Sequence, residues 1–467
     1  MLESIIGSVN AVLWSEWQVL IYLLIATGIW FTWRLGILQL RHFGHMFALM
    51  RTGTRADESG ISSFQALCTS LSARVGTGNL AGVAMAISLG GAGAVFWMWV
   101  IALLGMATGF AESLLAQVYK VRDHKKEFRG GPAYYIQQGL GSRWLAVLFS
   151  LCLFMGYGLF FSAMQANTIT DALNFAYGVP TATSGLIITV IAGVIVLGGL
   201  RAIARFAEWV VPFMGIAYVI TAIGITVINI QVVPEMLANI VLSAFGLQEA
   251  GAGALGAALK NGIQRGLYSN EAGAGSAPHA AASASPNPNH PAVQGYVQML
   301  GVFFDTMVLC TCTAIIILLA GAPSGEGAEG IRLTQAAMSV HMGDYGIYFV
   351  SIAITFFAFT SVVANYAYAE SNLRVFGCDN RWGRGVYTAA YLGMVLWGSG
   401  ASLATVWAAA DMALGLMTVV NVIALILLTP TIVAVSNDYL AQRKNNADPD
   451  FSLKTCQVQG KVEADIW

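Results

Sequence analysis

The sequence predicts an all-α integral membrane protein. Its expected core is a five-plus-five inverted repeat with broken first and sixth core helices, behind one extra N-terminal helix: eleven transmembrane helices in all. Three observations predict it. Of 467 residues, 10% are charged and 57% apolar, against roughly 25% charged in soluble domains, and the mean hydropathy is +0.68. The apolar residues run in stretches that reach the ~20 residues needed to cross a hydrocarbon core. Two stretches are interrupted by glycine at corresponding positions. The first interruption reads Arg74-Val75-Gly76-Thr77-Gly78-Asn79. The second reads Arg265-Gly266-Leu267-Tyr268-Ser269-Asn270-Glu271-Ala272-Gly273-Ala274-Gly275.

The expected spans are 11–33, 61–90, 93–119, 143–173, 182–200, 205–229, 250–285, 292–320, 345–375, 386–399 and 403–436. The first span lacks the positive n-region of a cleaved signal, since no Lys or Arg precedes Arg34, and so is expected to stay as a helix. The other ten divide into a first half, 61–230, and a second half, 250–436, joined by an extracellular connection, 231–249. With five spans each, the halves start on opposite sides of the bilayer, which makes them an inverted repeat. Residues 1–60 hold the extra helix and a basic loop, and 437–467 form a polar, partly disordered cytoplasmic tail. Residues 132–140 read as an interfacial helix and 331–342 as a helical piece of an outside loop.

Orientation follows from the 23 Lys and Arg. With the N-terminus outside, only Arg332 falls in an outside loop, and Arg74, Lys260 and Arg265 fall within spans. All the others fall inside, as the positive-inside rule requires. The expectation is a multi-pass protein of the cell (inner) membrane with a cytoplasmic C-terminus. The net charge of −1 gives no sign of a nucleic-acid partner, and the six cysteines form no disulfide framework. The glycine runs from Gly76 and Gly251 mimic a dinucleotide fingerprint but lack the preceding strand that such a site needs. No HExxH occurs and the histidines lie in or near loops or span ends, so neither an enzyme nor a cofactor is expected. Oligomeric state is not readable.

The breaks point to transport. Non-helical backbone survives at membrane depth only where it is buried in protein or lines a cavity. Paired breaks in two halves mark a secondary transporter's midplane site. A broken helix offers free carbonyls at one end and free N–H groups at the other. A free amino acid suits that pair: its carboxylate takes N–H groups around Gly78 and Asn79, and its ammonium takes carbonyls near Gly76, Leu267 and Tyr268. Ser269 and Asn270 complete the second break. Helix packing through Gly78 and Gly82 is the plainer reading of the first glycines.

In the 345–375 span, Thr360 and Ser361 follow Phe357 by about one turn. With carbonyls from Ser72 and Val75 they form a set of hard oxygens that suits sodium. The same hydroxyls also fit back-bonding within their own helix. Gln165, a neutral amide in an apolar span, fits substrate contact and helix–helix bonding equally well. Arg74 and Arg265 need partners at membrane depth. Glu112, Glu271, Asp305 and Glu370 are candidates.

At these residues the chain resembles the prokaryotic sodium:alanine/glycine symporter family. The likeness is carried by Ser63-Phe-Gln-Ala-Leu67, Ala73-Arg-Val-Gly-Thr-Gly-Asn-Leu-Ala-Gly-Val83, Phe96-Trp-Met-Trp99, Arg129-Gly-Gly-Pro-Ala133 and Ser269-Asn-Glu-Ala-Gly273, and it runs over about 10–440. The resemblance implies the inverted-repeat fold of the amino acid–polyamine–organocation superfamily and symport of alanine or glycine with sodium, or in some members with protons. It further implies that Thr77, Gly78, Gln165 and Tyr268 line the substrate pocket with Ser361 and residue 365 beside them, and that Val75, Thr360 and Ser361 serve the cation. Many members carry tryptophan where this chain has Asn365. That departure opens the pocket to serine or a longer amide-bearing amino acid. Proton coupling or exchange is the alternative within transporters, and a channel or sensor the alternative outside them.

Overall fold

The computed structural model describes residues 2–53, 60–123, 126–247, 252–321, 329–445, 448–463 and 465–467. Arg55, His124, Lys125, Gly251 and the expected boundary at 249–250 lie outside them. The described chain is helical almost throughout. Among the described residues, the only strand pairing is a two-residue antiparallel pair, Val121–Arg122 with Phe128–Arg129, and a parallel bridge between Ile61 and Ala284.

Among the described residues, six helices are long and apolar enough to cross a membrane: Gly93–Val118, Arg143–Tyr177, Ala202–Ile228, Pro291–Leu319, Asp344–Ser371 and Leu403–Leu427. The pair Glu3–Ser15 and Val19–Arg34, bent by 42°, makes a seventh if counted as one span. The gap between seven and the expected eleven has physical causes. Ser63–Arg74 and Gly78–Gly90 are each too short alone because the first interruption separates them. Thr181–Val196 is short and apolar. Arg381–Gly400 is longer than its apolar part because Asn380 caps it through the Gly383 N–H at 2.8 Å, bringing Arg381 and Arg384 into the helix.

Local chemistry explains several ends. Ser62 and Gln65 form a reciprocal capping box at the start of Ser63–Arg74, with both bonds at 3.1 Å. Ser402 caps Leu403–Leu427. The expected 403–436 span is instead two helices, because the helix stops at Leu428 and Pro430 opens Thr429–Lys444. The 231–249 connection holds a helix, Val233–Ala244, that was not foreseen. Helices Pro132–Gly139 and Ile331–Met342 stand where expected.

The tail is not loose. Phe451 N bonds the Asn289 carbonyl at 2.9 Å and Lys461 N the Gln138 carbonyl at 3.0 Å. Trp467 Nε1 donates to the Gln117 carbonyl at 3.2 Å, and Lys120 Nζ sits 4.5 Å from the Trp467 ring. A polar composition suggested partial disorder, but main-chain bonds and one terminal tryptophan hold the segment down.

The helices around the interruptions pack through small residues, as membrane helices do. A Cβ on Gly266 would lie 2.5 Å from Ile101 Cγ2, so glycine alone lets Ala252–Asn270 lie this close to Gly93–Val118. The Ala202–Ile228 helix is the contrast: it is largely exposed, with Phe213 and Val227 on its outer face.

Candidate functional site

The first interruption is brief. Ser63–Arg74 ends at Val75, which turns to an extended conformation, and Gly78–Gly82 resumes as a π-helical turn. The Ser72 and Val75 carbonyls are left facing the Asp344–Ser371 helix. Ser361 Oγ lies 2.9 Å from the Ser72 carbonyl oxygen, 3.2 Å from that of Val75 and 3.1 Å from that of Phe357. Thr360 Oγ1 lies 2.8 Å from the Phe357 carbonyl and 3.4 Å from that of Ser72. The two sequence readings of the hydroxyls thus coexist. Ser361 back-bonds within its helix and also reaches across to the broken one. A hydroxyl that donates to a carbonyl keeps lone pairs for a cation. All five oxygens are uncharged and hard.

The other side of the break is gripped by Gln165. Its Oε1 accepts from Thr77 N at 2.9 Å and from Thr77 Oγ1 at 2.7 Å. Gly76 N donates to Asn79 Oδ1 at 3.0 Å, and Asn79 N to the Gly76 carbonyl at 3.2 Å. Gly76 is wedged: a Cβ there would stand 2.6 Å from Ser361 Oγ and 2.7 Å from Gln165 Oε1. Gly78 lies against the second broken helix, where a Cβ would stand 3.2 Å from both the Tyr268 ring and the Tyr268 carbonyl. Tyr268 packs its ring 5.1 Å from Trp407 and sends its hydroxyl to Met164 Sδ at 3.0 Å. Gly76, Thr77, Gly78, Gln165, Tyr268 and Ser361 are therefore brought together. Asn365 is buried one turn beyond Ser361, and its Oδ1 has no hydrogen-bond partner among the described residues.

The second interruption falls later than the sequence suggested. The helix runs through Asn270, and the backbone then passes through positive φ at Glu271 (54°), Gly273 (92°) and Gly275 (88°) before Ala277–Ala282. Glycine is the residue that adopts such angles freely, so the break follows the last glycines of the run rather than the first. Two expectations change with it. The Leu267 carbonyl is not free for an ammonium group, because Glu271 N takes it at 2.8 Å. The Gly76 carbonyl is shared with Asn79 N, as above.

Ser269 belongs to a separate cluster around Asp305. Ser269 Oγ bonds the Asp305 carboxylate and lies 2.8 Å from Thr306 Oγ1. Asn79 Nδ2 donates to Asp305 Oδ1 at 2.9 Å, so this cluster ties the first break to the second. Asn270 Oδ1 accepts from Ala272 N at 3.0 Å.

The charged groups divide unexpectedly. Arg265 pairs bidentately with Asp411 at 3.0 and 2.9 Å and lies 4.5 Å from the Trp407 ring. Asp411 was not among the candidate partners, although it is a lone acid in the 403–436 stretch. Arg74 makes no hydrogen bond with the described residues, but its charge acts on Glu112, Glu271 and Asp305. Glu112 Oε2 accepts from Asn421 Nδ2 at 3.0 Å, and its Oε1 has no hydrogen-bond partner among the described residues. Glu271 accepts from Ser276 Oγ at 2.5 Å. Glu370 lies elsewhere, 3.7 Å from both Arg129 and Arg384. Lys260 bonds Ser15 Oγ at 3.1 Å. Among the described residues no three His, Cys, Asp or Glu gather as a metal cage.

Several apolar helices long enough to span a bilayer, and two buried helices interrupted beside each other with carbonyl and hydroxyl oxygens gathered at one interruption, are the features of a multi-pass membrane carrier. The chain belongs to the sodium:alanine symporter family, whose model matches residues 1–453. It is 45% identical over 465 residues to the uncharacterized transporter YaaJ of Escherichia coli (strain K12), covering 98% of this chain and 97% of that one. It is 44% identical over 452 residues to the amino-acid carrier protein AlsT of Bacillus subtilis (strain 168), covering 97% and 95%. It is 44% identical over 464 residues to the probable sodium/glutamine symporter GlnT of the same bacterium, covering 99% and 96%. The family is one of symporters, so the chain is a membrane transporter and not an enzyme.

Proposed function

We propose that this protein imports a small neutral amino acid, alanine or glycine, by alternating access, driven by sodium. In this reading the chain crosses the inner membrane eleven times with its N-terminus outside and its C-terminus in the cytoplasm. Residues 61–230 and 250–436 are the two inverted repeats. Sodium sits among Ser72, Val75, Phe357, Thr360 and Ser361. The amino acid lies between the breaks, against Gly76, Thr77, Gly78, Asn79, Gln165, Tyr268 and Ser361. Leu267, Ser269 and Asn270 hold the second helix in place, and Asn365 closes one wall.

The observation that carries this reading is the convergence of three carbonyl oxygens, of Ser72, Val75 and Phe357, on the Ser361 hydroxyl, with Thr360 Oγ1 reaching two of the same carbonyls, beside Gly76 and the Gln165–Thr77 contact. One sodium moving down ~100 mV releases roughly 2.3 kcal/mol, enough at about 1.4 kcal/mol per decade for about a 50-fold amino-acid gradient. Coupling requires that sodium favour the substrate-binding state by a comparable free energy.

The test is labelled-substrate uptake into proteoliposomes, with an inward sodium gradient against an equal potassium gradient at fixed pH and voltage. Sodium-dependent alanine accumulation is expected. Equal uptake in both overturns sodium coupling and favours the second reading, proton coupling or exchange, which draws on three buried carboxylates facing the single Arg74. Glutamine and serine belong in the same assay. The unpartnered Asn365 Oδ1 suits a polar side chain, and a relative named as a probable glutamine symporter lies at 44% identity. Flux that does not saturate with substrate would indicate a channel.

A further inference from the structure

A cavity of about 430 Å³ lies in the seam between the first half of the broken helix, Ser63–Arg74, and the Ala202–Ile228 helix. Leu71 and Val75 line one side, Gly215 and Val219 the other, and Phe304 and Phe357 the floor. The lining is entirely apolar. Water has no partner in such a space, and an apolar cavity of ~150 Å³ already stays dry and admits benzene. Left empty, a larger one forfeits dispersion contacts over its whole lining.

The cavity is continuous with the bilayer-facing surface. Ile216 and Ile220, which line it, are 60% and 63% exposed, and they stand on the same helix as the exposed Phe213 and Ile223. In a multi-pass membrane protein that surface meets acyl chains. Long flexible apolar chains are therefore the molecules present at the mouth, and the shape and chemistry inside suit them.

We propose that this seam binds one acyl chain of a bilayer phospholipid. The bound chain packs on Val75 and Phe357 from behind, the two residues whose carbonyls lie 3.2 and 3.1 Å from Ser361 Oγ on their other side. The site does not depend on the transport reading, and its test reads lipid contact alone.

The full chain is reconstituted into phosphatidylethanolamine and phosphatidylglycerol vesicles containing a phospholipid with a diazirine on one acyl chain. It is then irradiated, and the adducts are mapped by peptide mass spectrometry. Adducts are expected on Leu71–Val75 and at Phe304, in addition to those on the outer face of Ala202–Ile228. Gly215→Phe places a ring at the seam wall, where a Cβ meets nothing within 4 Å. It should lose the Leu71–Val75 and Phe304 adducts and keep those at Phe213. Ile223→Phe, on the outer face, should keep both sets. Adducts confined to the outer face in the unmutated protein overturn the proposal without any variant. So do seam adducts that persist in a folded Gly215→Phe protein.

Discussion

The two interruptions solve one problem with different chemistry. At Val75–Thr77 the hydrogen-bond partners are neutral: the Asn79 and Gln165 amide oxygens accept from N–H groups, and the Ser361 hydroxyl faces the Ser72 and Val75 carbonyls. At Glu271–Ser276 the freed groups meet charge. Glu112 accepts from the Asn421 amide, which also bonds the Gly273 carbonyl, Glu271 accepts from the Ser276 hydroxyl, and the Arg74 charge acts on both acids. A neutral, carbonyl-rich break changes its energy most when a cation arrives. An acid-rich break already carries its counter-charge and gains less. On the proposed reading, the first break is the ion-responsive one and the second is a fixed frame.

The largest effect should come from the charged frame. Asp411→Ala leaves Arg265 buried without its carboxylate, and breaking a buried pair from one side costs about 3–5 kcal/mol. A marked fall in the melting temperature of the purified protein is expected. Replacing both partners with apolar residues, Arg265→Met with Asp411→Leu, should recover most of it, because the lone charge is gone. A double variant as unstable as the single one would show that the pair does more than neutralise charge.

The next test separates the breaks by sodium. Thr360→Ala with Ser361→Ala removes two hydroxyl ligands at about 1 kcal/mol each, so the sodium concentration for half-maximal uptake should rise by about tenfold or more. Glu112→Gln, at the other break, should lower stability and uptake rate while leaving that sodium concentration near its original value. Equal shifts in both would erase the distinction between the breaks. A smaller effect is expected at the wall: Asn365→Trp should narrow the range of neutral amino acids transported, and an unchanged competition profile would remove Asn365 from the pocket.

Much of this architecture is legible in the sequence because it depends on local signals. Composition and span length make the chain a membrane protein. The glycines of Gly76-x-Gly78 place the first break to the residue. The Thr360–Ser361 pair lies where a helix period from Phe357 puts it. The second break was placed too early because Gly266 signals close helix packing against Ile101 and not a turn; only φ angles separate the two uses of glycine. Asp411 was overlooked because its partner Arg265 is 146 residues away, and no spacing rule spans that distance. The tail was misjudged because docking by backbone bonds and a single Trp467 leaves almost no trace in composition.

The contrast between neutral and charged bonding extends to the loop by which the second broken helix leaves the bilayer, and it predicts the smallest effect. His290 Nδ1 accepts the Ala292 N–H at 3.1 Å, capping Pro291–Val302, while Nε2 lies 3.1 Å from Asp438 Oδ2. That arrangement needs a neutral ring, since a proton on Nδ1 would displace the capping bond. Burial pushes the His290 pKa down from 6.5 to about 4, outweighing the pull of the Asp438 carboxylate. A folded-state value below the unfolded one means that the unfolded chain takes up protons first. The stability contributed by neutral His290 is therefore complete above pH 6.5 and is lost as the pH falls toward about 4. Asparagine caps helices without titrating in this range, so His290→Asn should flatten part of the fall in melting temperature over that window. Some slope should remain, because burial also lowers His45 to about 4. A variant whose melting temperature falls with pH as steeply as the original would mean that the cap is not what acid breaks.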